Sequence, residues 1–539
     1  GHLLQNLPEG IRMNQPRRKR RARLVTPDNV SFVEATYTDT SRQARGLFRG
    51  GYYALLIISA LGLATLVLTY ADYALPYVMI VAPAILGYRY WLNQNRNGLP
   101  ILPIFLTQQG LVYALPLFAY RHEIPSNYEQ VLITSALITG IFFTCVMAGW
   151  HFVINRGERT PSKFDLSLGK GQEAEAKCFT LASGLLVLAV LFHFGSRTGL
   201  IWNLLPPSLQ GIFPILRTFA SAAAMLGALL GGLVLGKVSE PGKKLLFWVL
   251  VLIICLFSMV DVLISAASSI VLASIVGMAL GKGNPPWGLL AATLGIVGFL
   301  NQGKTDIRER YWVPGTLETQ LDFENLPQFY LDWIETSSET VFGSKKKNSV
   351  APEEGMSVFE RINNLQNTLY VVDAIEHKNK AILAGETYAL IPPLFIPRAF
   401  WPDKPFAHEG QAILNVHFGR QASKEDTEKV FIAWGLLPEA IGNFGVWVGP
   451  VLFGLLMGAA LGWLERTSMR KRVMSVEGFI LGGLLLITAG SYEMVASVLL
   501  TSTFQFLVAV TVAGSGLFIL FRKDQEEEAK GPKPNKHYQ

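Results

Sequence analysis

Long apolar runs constrain this chain more than any other feature of its sequence. About 20 apolar residues cross a bilayer as a helix, and the connections between such runs carry the polar residues. By that rule the sequence predicts twelve membrane-spanning helices, at roughly 51–70, 74–91, 100–119, 130–152, 177–195, 215–236, 245–260, 264–281, 286–301, 443–464, 477–497 and 501–521. We therefore expect an all-α polytopic membrane protein.

The composition supports the membrane interpretation. Half of the 539 residues are hydrophobic and 16% are charged, whereas soluble domains carry about 25% charged residues. The second and third spans contain four prolines, at 76, 83, 103 and 116. Because neighbouring helices can satisfy the carbonyl that a proline leaves free, we expect kinks in these helices and not breaks. The seventh and eighth spans form one apolar stretch, which we divide at Asp261.

The basic residues set the orientation. Lysine and arginine concentrate on the cytoplasmic side of membrane proteins, and the basic run at 17–23 predicts a cytoplasmic amino terminus. With twelve spans, 30 of the 47 lysines and arginines then fall on the cytoplasmic side and the short outer loops hold only Arg121, Arg197 and Arg217. The net charge of +7 thus records topology, and it gives no reason to expect a nucleic-acid partner.

The predicted organisation has five parts. A basic cytoplasmic segment at 1–50 precedes the first nine spans at 51–301; a large external loop at 302–430 precedes the last three spans at 431–521; and a cytoplasmic, disordered tail occupies 522–539. A capping box at 357–360 and helically spaced apolar residues from Phe359 to Ile375 predict an amphipathic helix in the loop. The segment 324–342 is interpreted as a second one, lying along the outer membrane surface.

Prolines give the end of the loop a distinct character. Five of them, at 392, 393, 397, 402 and 405, fix φ and remove backbone donors, which favours a rigid irregular segment. Irregular backbone near membrane depth persists where it is buried in protein or lines a cavity. The segment carries Arg398, Asp403 and Lys404, so it either lines a polar site or packs as a surface lid.

Arginines on the outer side are unexpected, because the positive-inside bias acts against them. A guanidinium matches phosphate oxygens with a fork of donors and stays charged. Arg197 and Arg217 are therefore candidate phosphate ligands; alternatively, each pairs with an acidic neighbour such as Glu439 or Glu493, or with a lipid headgroup. The histidines at 377, 408 and 417 and the carboxylates Glu386, Asp403 and Glu439 are candidate bases, and no triad or HExxH spacing joins them.

Metal and disulfide chemistry finds no support in the sequence. The three cysteines, at 145, 178 and 255, lie in or beside apolar runs without CxxC spacing, which favours neither a disulfide framework nor a zinc site. No two aspartates are spaced D-x-D, and nucleotide-sugar chemistry with a bound divalent metal therefore has no support.

The assembled pattern resembles the Wzy-type oligosaccharide repeat-unit polymerases of bacterial polysaccharide assembly, the O-antigen and exopolysaccharide polymerase family. The resemblance depends on the layout of many spans with one large late external loop, and on three motifs. They are Gly-Glu-Thr-Tyr at 385–388, Pro-Arg-Ala-Phe-Trp-Pro-Asp-Lys-Pro at 397–405, and Glu-Ala-Ile-Gly-Asn-Phe-Gly at 439–445. By motif it covers 361–465, and elsewhere it is a likeness of hydropathy.

The resemblance implies a metal-independent glycosyltransferase with a GT-C-like helical fold and no cofactor. It would act on undecaprenyl-diphosphate-linked oligosaccharides at the outer face of the bacterial inner membrane, with both termini cytoplasmic and the large loop periplasmic. Its partners would be these lipid-linked substrates, membrane lipids and other assembly proteins such as a chain-length regulator or a flippase. In family terms external arginines bind the diphosphates, a role that falls by position to Arg398, Arg197, Arg217 and Arg361.

One departure from the family bears on Arg398. In some members ten residues separate an arginine from a following glycine. Here eleven residues separate Arg398 from Gly410, so the glycine comes one position late. The acceptor hydroxyl needs a base within hydrogen-bond reach, for which Glu439 and His408 are the first candidates. The remaining residues assigned to substrate binding are Glu386, Tyr388, Trp401, Lys404 and Asn443.

Three alternatives stay open at this stage. An O-antigen-ligase-like enzyme would use the same donor with another acceptor. A polysaccharide or lipid transporter would carry charged or broken-helix sites near the bilayer midplane, whereas the charges here gather at the outer ends of spans and in one loop. The third alternative is a purely structural assembly partner.

Overall fold

The computed structural model describes most of the chain between residues 36 and 511. The described ranges are 36–94, 98–118, 128–156, 171–206, 212–237, 240–282, 284–311, 321, 323–342, 363–397, 400–401, 403–429, 432–473, 475–491 and 493–511. Every regular element within them is a helix. The tail at 522–539 and most of the basic segment at 1–50 lie outside these ranges.

Nine helices in the described ranges are long and apolar enough to cross a membrane. They are Arg45–Thr69, Ala71–Asn93, Ile101–Phe118, Tyr128–Ile154, Glu175–Arg197, Ile215–Lys237, Pro241–Met259, Ile264–Lys282 and Val448–Ser468. Three shorter apolar helices, Trp287–Gln302, Glu477–Ala489 and Ala496–Thr511, stand where the sequence predicts spans nine, eleven and twelve. The described residues thus fit an all-α polytopic membrane protein, but nine helices and not the predicted twelve are long enough to be candidate spans. Pro83 lies inside an unbroken helix.

The remaining helices precede or connect the apolar ones. Their bounds are Tyr37–Gln43, Leu200–Leu204, Lys304–Tyr311, Leu326–Phe342, Asn364–Glu376, Glu386–Ala389, Ile391–Leu394, Glu409–His417, Lys424–Lys429 and Leu436–Phe444. The second predicted amphipathic helix, at 324–342, corresponds to Leu326–Phe342. The first is described from Asn364, and the capping box at 357–360 lies outside the described residues.

Several span boundaries differ from the sequence-based prediction, and two of these differences affect the candidate site. The tenth span begins at Val448 and not at 443, because Gly445 adopts φ +87° and ends the short helix Leu436–Phe444 before the span starts. The break between the last two apolar helices falls at 490–495, and Ala496 starts the final helix. The backbone N–H of Ala496 donates to the carboxylate of Glu439 at 2.6 Å, and a carboxylate is favourable at a helix amino terminus, where N–H groups have no partner within the helix.

The apolar helices form two bundles, each with its own core. The first core takes its buried side chains from the four helices between 45 and 154, from Val448–Ser468 and from the outer helices after residue 363. The second takes them mainly from the four helices between 175 and 282. Contacts of Glu477–Ala489 and Ala496–Thr511 with Ile215–Lys237 join the two bundles; we call this boundary the seam.

Glycines allow the tightest helix contacts. A Cβ on Gly458 would lie 2.0 Å from the backbone oxygen of Val146, and one on Gly462 would lie 2.8 Å from that of Trp150. In the second bundle a Cβ on Gly277 would lie 2.1 Å from the oxygen of Leu229. Close backbone approach of this kind is how membrane helices gain packing energy where no hydrophobic force drives them together.

The long segment that the sequence predicts to be external, which we call the outer segment, divides between the bundles. Leu326–Phe342 packs Phe329 and Trp333 against Ile307 and against Val262, which lies in the break between the seventh and eighth spans. The helix Asn364–Glu376 instead packs on the first bundle. The break predicted at Asp261 is confirmed, because one helix ends at Met259 and the next begins at Ile264.

Candidate functional site

A buried hydrogen-bond network joins three segments at the outer end of the first bundle. The hydroxyl of Thr387 donates to Oε1 of Glu439 at 2.8 Å, and the amide of Asn443 donates to the Thr387 hydroxyl at 2.9 Å. Asn443 also donates to the backbone oxygen of Glu439 at 2.8 Å, and the backbone N–H of Ala496 donates to Oε2 of Glu439. Side chains of all three polar residues are buried. We call Thr387, Glu439, Asn443 and Ala496 the Glu439 network.

The Glu439 network fixes positions and leaves little room for proton transfer. Burial raises the pKa of Glu439, and the hydrogen bonds from Ala496 and Thr387 oppose that rise. Both carboxylate oxygens have donors and the side chain has no exposed surface. A satisfied buried network of this kind rigidifies its surroundings. Glu439, which the sequence suggested as a base, therefore lies where it positions the segments that bear residues 386–388 and 407–411.

The neighbours of Thr387 take different environments. Gly385, with φ +94°, introduces the helical turn Glu386–Ala389, and the side chain of Glu386 is exposed. The ring of Tyr388 packs on Phe444 with centroids 5.3 Å apart. Its hydroxyl is buried and has no hydrogen-bond partner within the described part of the chain.

His408 lies beside the Glu439 network on the exposed side. The first turn of Glu409–His417 contacts it, since a Cβ on Gly410 would lie 3.6 Å from the Cβ of Thr387. The ring nitrogen Nδ1 of His408 is 2.8 Å from Oε1 of Gln411. An amide oxygen only accepts, so Nδ1 donates and the lone pair of the neutral ring lies on Nε2.

The other two candidate histidines have structural partners. His377 lies 3.7 Å from the buried carboxylate of Asp373, which also pairs with Lys378 at 2.7 Å. His417 Nε2 is 2.7 Å from the backbone oxygen of Ala381. Both contacts tie down the connection between Asn364–Glu376 and the turn at Glu386.

A lysine joins described residues of the proline-rich segment. This lysine, Lys404, donates to the backbone oxygens of Leu394 and Ile396 at 2.8 and 2.5 Å. Phe400 and Trp401 are exposed, as is Asp403. Arg398 lies outside the described residues, and so does Arg361.

Arg197, one of the candidate phosphate ligands, has a carboxylate partner. Its guanidinium pairs with Asp261 in the break between two spans of the second bundle, and both side chains are about three-quarters buried. Among the two alternatives that the sequence leaves open, the acidic neighbour is therefore observed, although it is neither Glu439 nor Glu493.

Arg217 lines a groove at the seam. The side chain is exposed, and the groove has a volume of about 240 Å³. Polar groups of Thr218, Ser221, Ser502 and Gln505 stand near it, and the hydroxyl of Thr218 donates to the Gln505 amide oxygen at 3.2 Å. The rest of the lining is apolar and extends to Leu226. Leu226 is nine residues after Arg217 on the same helix, which corresponds to about 13 Å. The sequence signal for this site was an arginine on the outer side of a span; the groove itself had no signal.

No group of metal-ligating side chains is found among the described residues. Comparison of the chain with protein-family models, with curated protein sequences and with solved structures finds no match.

Proposed function

We propose that this chain is a membrane glycosyltransferase that polymerises undecaprenyl-diphosphate-linked oligosaccharide repeat units at the outer face of the bacterial inner membrane. The observation that carries the proposal is the groove of Arg217. An apolar cleft within the membrane suits a hydrocarbon chain, and a guanidinium with hydroxyl and amide neighbours at its outer end suits the diphosphate.

The chemistry follows from the leaving group. When the glycosidic carbon leaves the donor, negative charge grows on the diphosphate, and preorganised arginines stabilise that charge in a site with little water. Arg217 and Arg398 take this role in the proposal, with Arg361 as a further external arginine. Arg197 is left out because Asp261 already neutralises it.

The acceptor sugar needs a base and a surface. His408 is the base we assign, because its side chain is exposed beside the Glu439 network and its Nδ1 lies 2.8 Å from Oε1 of Gln411. Glu439 is a positioning residue, because its carboxylate holds both Thr387 and the start of the last helix. The exposed Glu386 and Trp401 provide contacts to the oligosaccharide.

Reconstitution tests the proposal. We expect the purified protein in liposomes, supplied with the lipid-linked repeat unit of its host, to form a ladder of longer glycans on the lipid carrier. Arg217→Ala and Arg398→Ala should each reduce the product about 10²–10³-fold, the usual effect of losing one donor to a developing anion. The matched control is Arg156→Ala, since Arg156 is exposed at the opposite end of its span and stacks only on Phe152.

Three outcomes would contradict the proposal. A ladder of normal length from both arginine variants would remove the assigned site. Transfer of the glycan to an acceptor other than the lipid-linked repeat unit would identify a ligase, and movement of intact substrate across the liposome without transfer would identify a transporter.

A further inference from the structure

Arg420 is a cation whose backbone and guanidinium are both fixed by hydrogen bonds. The helix Glu409–His417 ends with a left-handed Gly419 at φ +77°, and the Arg420 N–H returns to the backbone oxygen of Asn415 at 2.8 Å. This six-to-one hydrogen bond is the Schellman ending of a helix, which fixes the direction of the next residue. The backbone of Arg420 is thereby set by local geometry.

The guanidinium of Arg420 is set by a second layer of contacts. It donates to Oδ1 of Asn367 and lies over the ring of Tyr370, 5.2 Å from its centroid. Asn367 is itself held, because its amide donates to the backbone oxygens of Ala433 and Trp434 at 2.8 and 2.9 Å. Three segments of the outer region, residues 415–420, the helix Asn364–Glu376 and residues 433–434, therefore converge to hold this side chain in place.

The charge of Arg420 is not balanced by the groups around it. Among the described residues no carboxylate lies within ion-pair distance of Arg420, whereas carboxylates pair with Arg197, Lys378 and Lys424. The side chain is partly buried, and burial lowers the pKa of Arg420. Of its five N–H donors one meets Asn367. Removing a charge from water without a counter-ion costs free energy. Groups that carry such a cost are found most often at binding and active sites.

We propose that Arg420 binds an oxyanion of the substrate, either a carboxylate on an acidic sugar or a phosphate, at a site separate from the groove of Arg217. The guanidinium fork accepts two oxygens side by side, which makes carboxylate and phosphate its natural ligands. The identity of the ligand as substrate rests on the proposed function. The existence of the oxyanion site rests only on the contacts of Arg420.

Direct binding tests the site without any polymerisation assay. The purified full-length protein in detergent is titrated with sodium glucuronate, inorganic phosphate and inorganic pyrophosphate, and its thermal unfolding is followed. We expect one probe to raise the unfolding temperature saturably in the wild type, not at all in Arg420→Met, and with at least about tenfold weaker affinity in Arg420→Lys, which keeps the charge but loses the fork. Arg156→Met should behave as the wild type.

The probes and a second variant separate the sources of the oxyanion. Saturation by glucuronate alone assigns an acidic sugar, and saturation by phosphate or pyrophosphate assigns a phosphate. If the response is lost in Arg217→Met and kept in Arg420→Met, the probe occupies the groove and the proposal is overturned. It is also overturned if no probe saturates the wild type, or if Arg420→Met unfolds at a lower temperature yet binds normally.

The unliganded variants provide a readout that a purely structural arginine would not give. Because Arg420→Met removes an unbalanced charge, its unfolding temperature without probe should equal or exceed that of the wild type. Binding of a probe by a protein that makes no polymer would leave the oxyanion site standing while the proposed function fails.

Discussion

At the residue scale, the buried polar side chains differ in what their surroundings let them do. Glu439 has donors on both oxygens and no exposed surface, whereas His408 is exposed and its Nδ1 lies 2.8 Å from Oε1 of Gln411. Both were candidate bases from their residue types. Burial and hydrogen bonding therefore give Glu439 a positioning role and leave the reactive role to His408.

The stability of the chain should depend on pH through Glu439. Burial raises the pKa of this carboxyl in the folded state, so the folded chain holds the proton more tightly than the unfolded chain. Its stabilising contribution is full below the ordinary glutamate pKa of about 4.3 and is lost as the pH rises through the higher folded value.

Glu439→Gln isolates this effect, because it is neutral at every pH. We expect the difference in unfolding temperature between wild type and Glu439→Gln to shift against the wild type as the pH rises from 4 to 8, measured by thermal unfolding in detergent at about one-unit steps. Glu386→Gln is the control, since the Glu386 side chain is exposed one residue before Thr387. A difference that moved in favour of the wild type would mean that the ionised form is the one the fold prefers.

At the element scale, glycines decide how closely the helices of a bundle approach. Gly454, Gly458 and Gly462 recur every four residues on Val448–Ser468, and each faces the backbone of Tyr128–Ile154. The contact is the most extensive helix pair in the first bundle. It also anchors the outer site, because Val448–Ser468 follows directly after the helix that bears Glu439.

Gly458→Leu should therefore destabilise the protein strongly. Its Cβ would lie 2.0 Å from the backbone oxygen of Val146, so the two helices have to separate, at a cost of about 1–3 kcal/mol or more. Thermal unfolding and the yield of folded protein after detergent extraction measure the loss. Gly295→Leu is the matched control in another apolar helix, since no atom lies within 4 Å of its added Cβ. Equal behaviour of the two variants would contradict the packing.

At the scale of the whole molecule, the outer segment belongs to both bundles, and the groove of Arg217 lies where they meet. Lys304–Tyr311 and Leu326–Phe342 rest on the second bundle, while the helices from Asn364 to Phe444 rest on the first. Glu493 lies between the last two apolar helices, and its backbone oxygen accepts from Gly435 N–H at 3.2 Å. Burial raises the pKa of Glu493, and the charge of Lys304 opposes this rise, so the connection between the last two apolar helices interacts with the portion that rests on the second bundle.

The proposed orientation predicts which side of the membrane each surface faces. In a variant with the three native cysteines replaced, Lys378→Cys in the outer region should react with a membrane-impermeant maleimide in intact cells. Lys282→Cys, at the far end of a span, should react only after permeabilisation. Both positions are exposed to solvent or lipid. Labelling of Lys282→Cys in intact cells would invert the topology and exclude the outer-face site.

The sequence by itself determined the class of the protein, the places of its apolar helices and the division at Asp261. Hydrocarbon imposes a local rule, because every backbone group must find its partner within the same helix, so length and hydropathy suffice to find one. The tertiary structure alone decided which polar groups meet. Arg197 and Asp261 are 64 positions apart, Thr387 and Glu439 are 52 apart, and Asn367 and Arg420 are 53 apart. Such pairs form only where helices that are distant in sequence approach each other, and no periodicity in the chain records that approach.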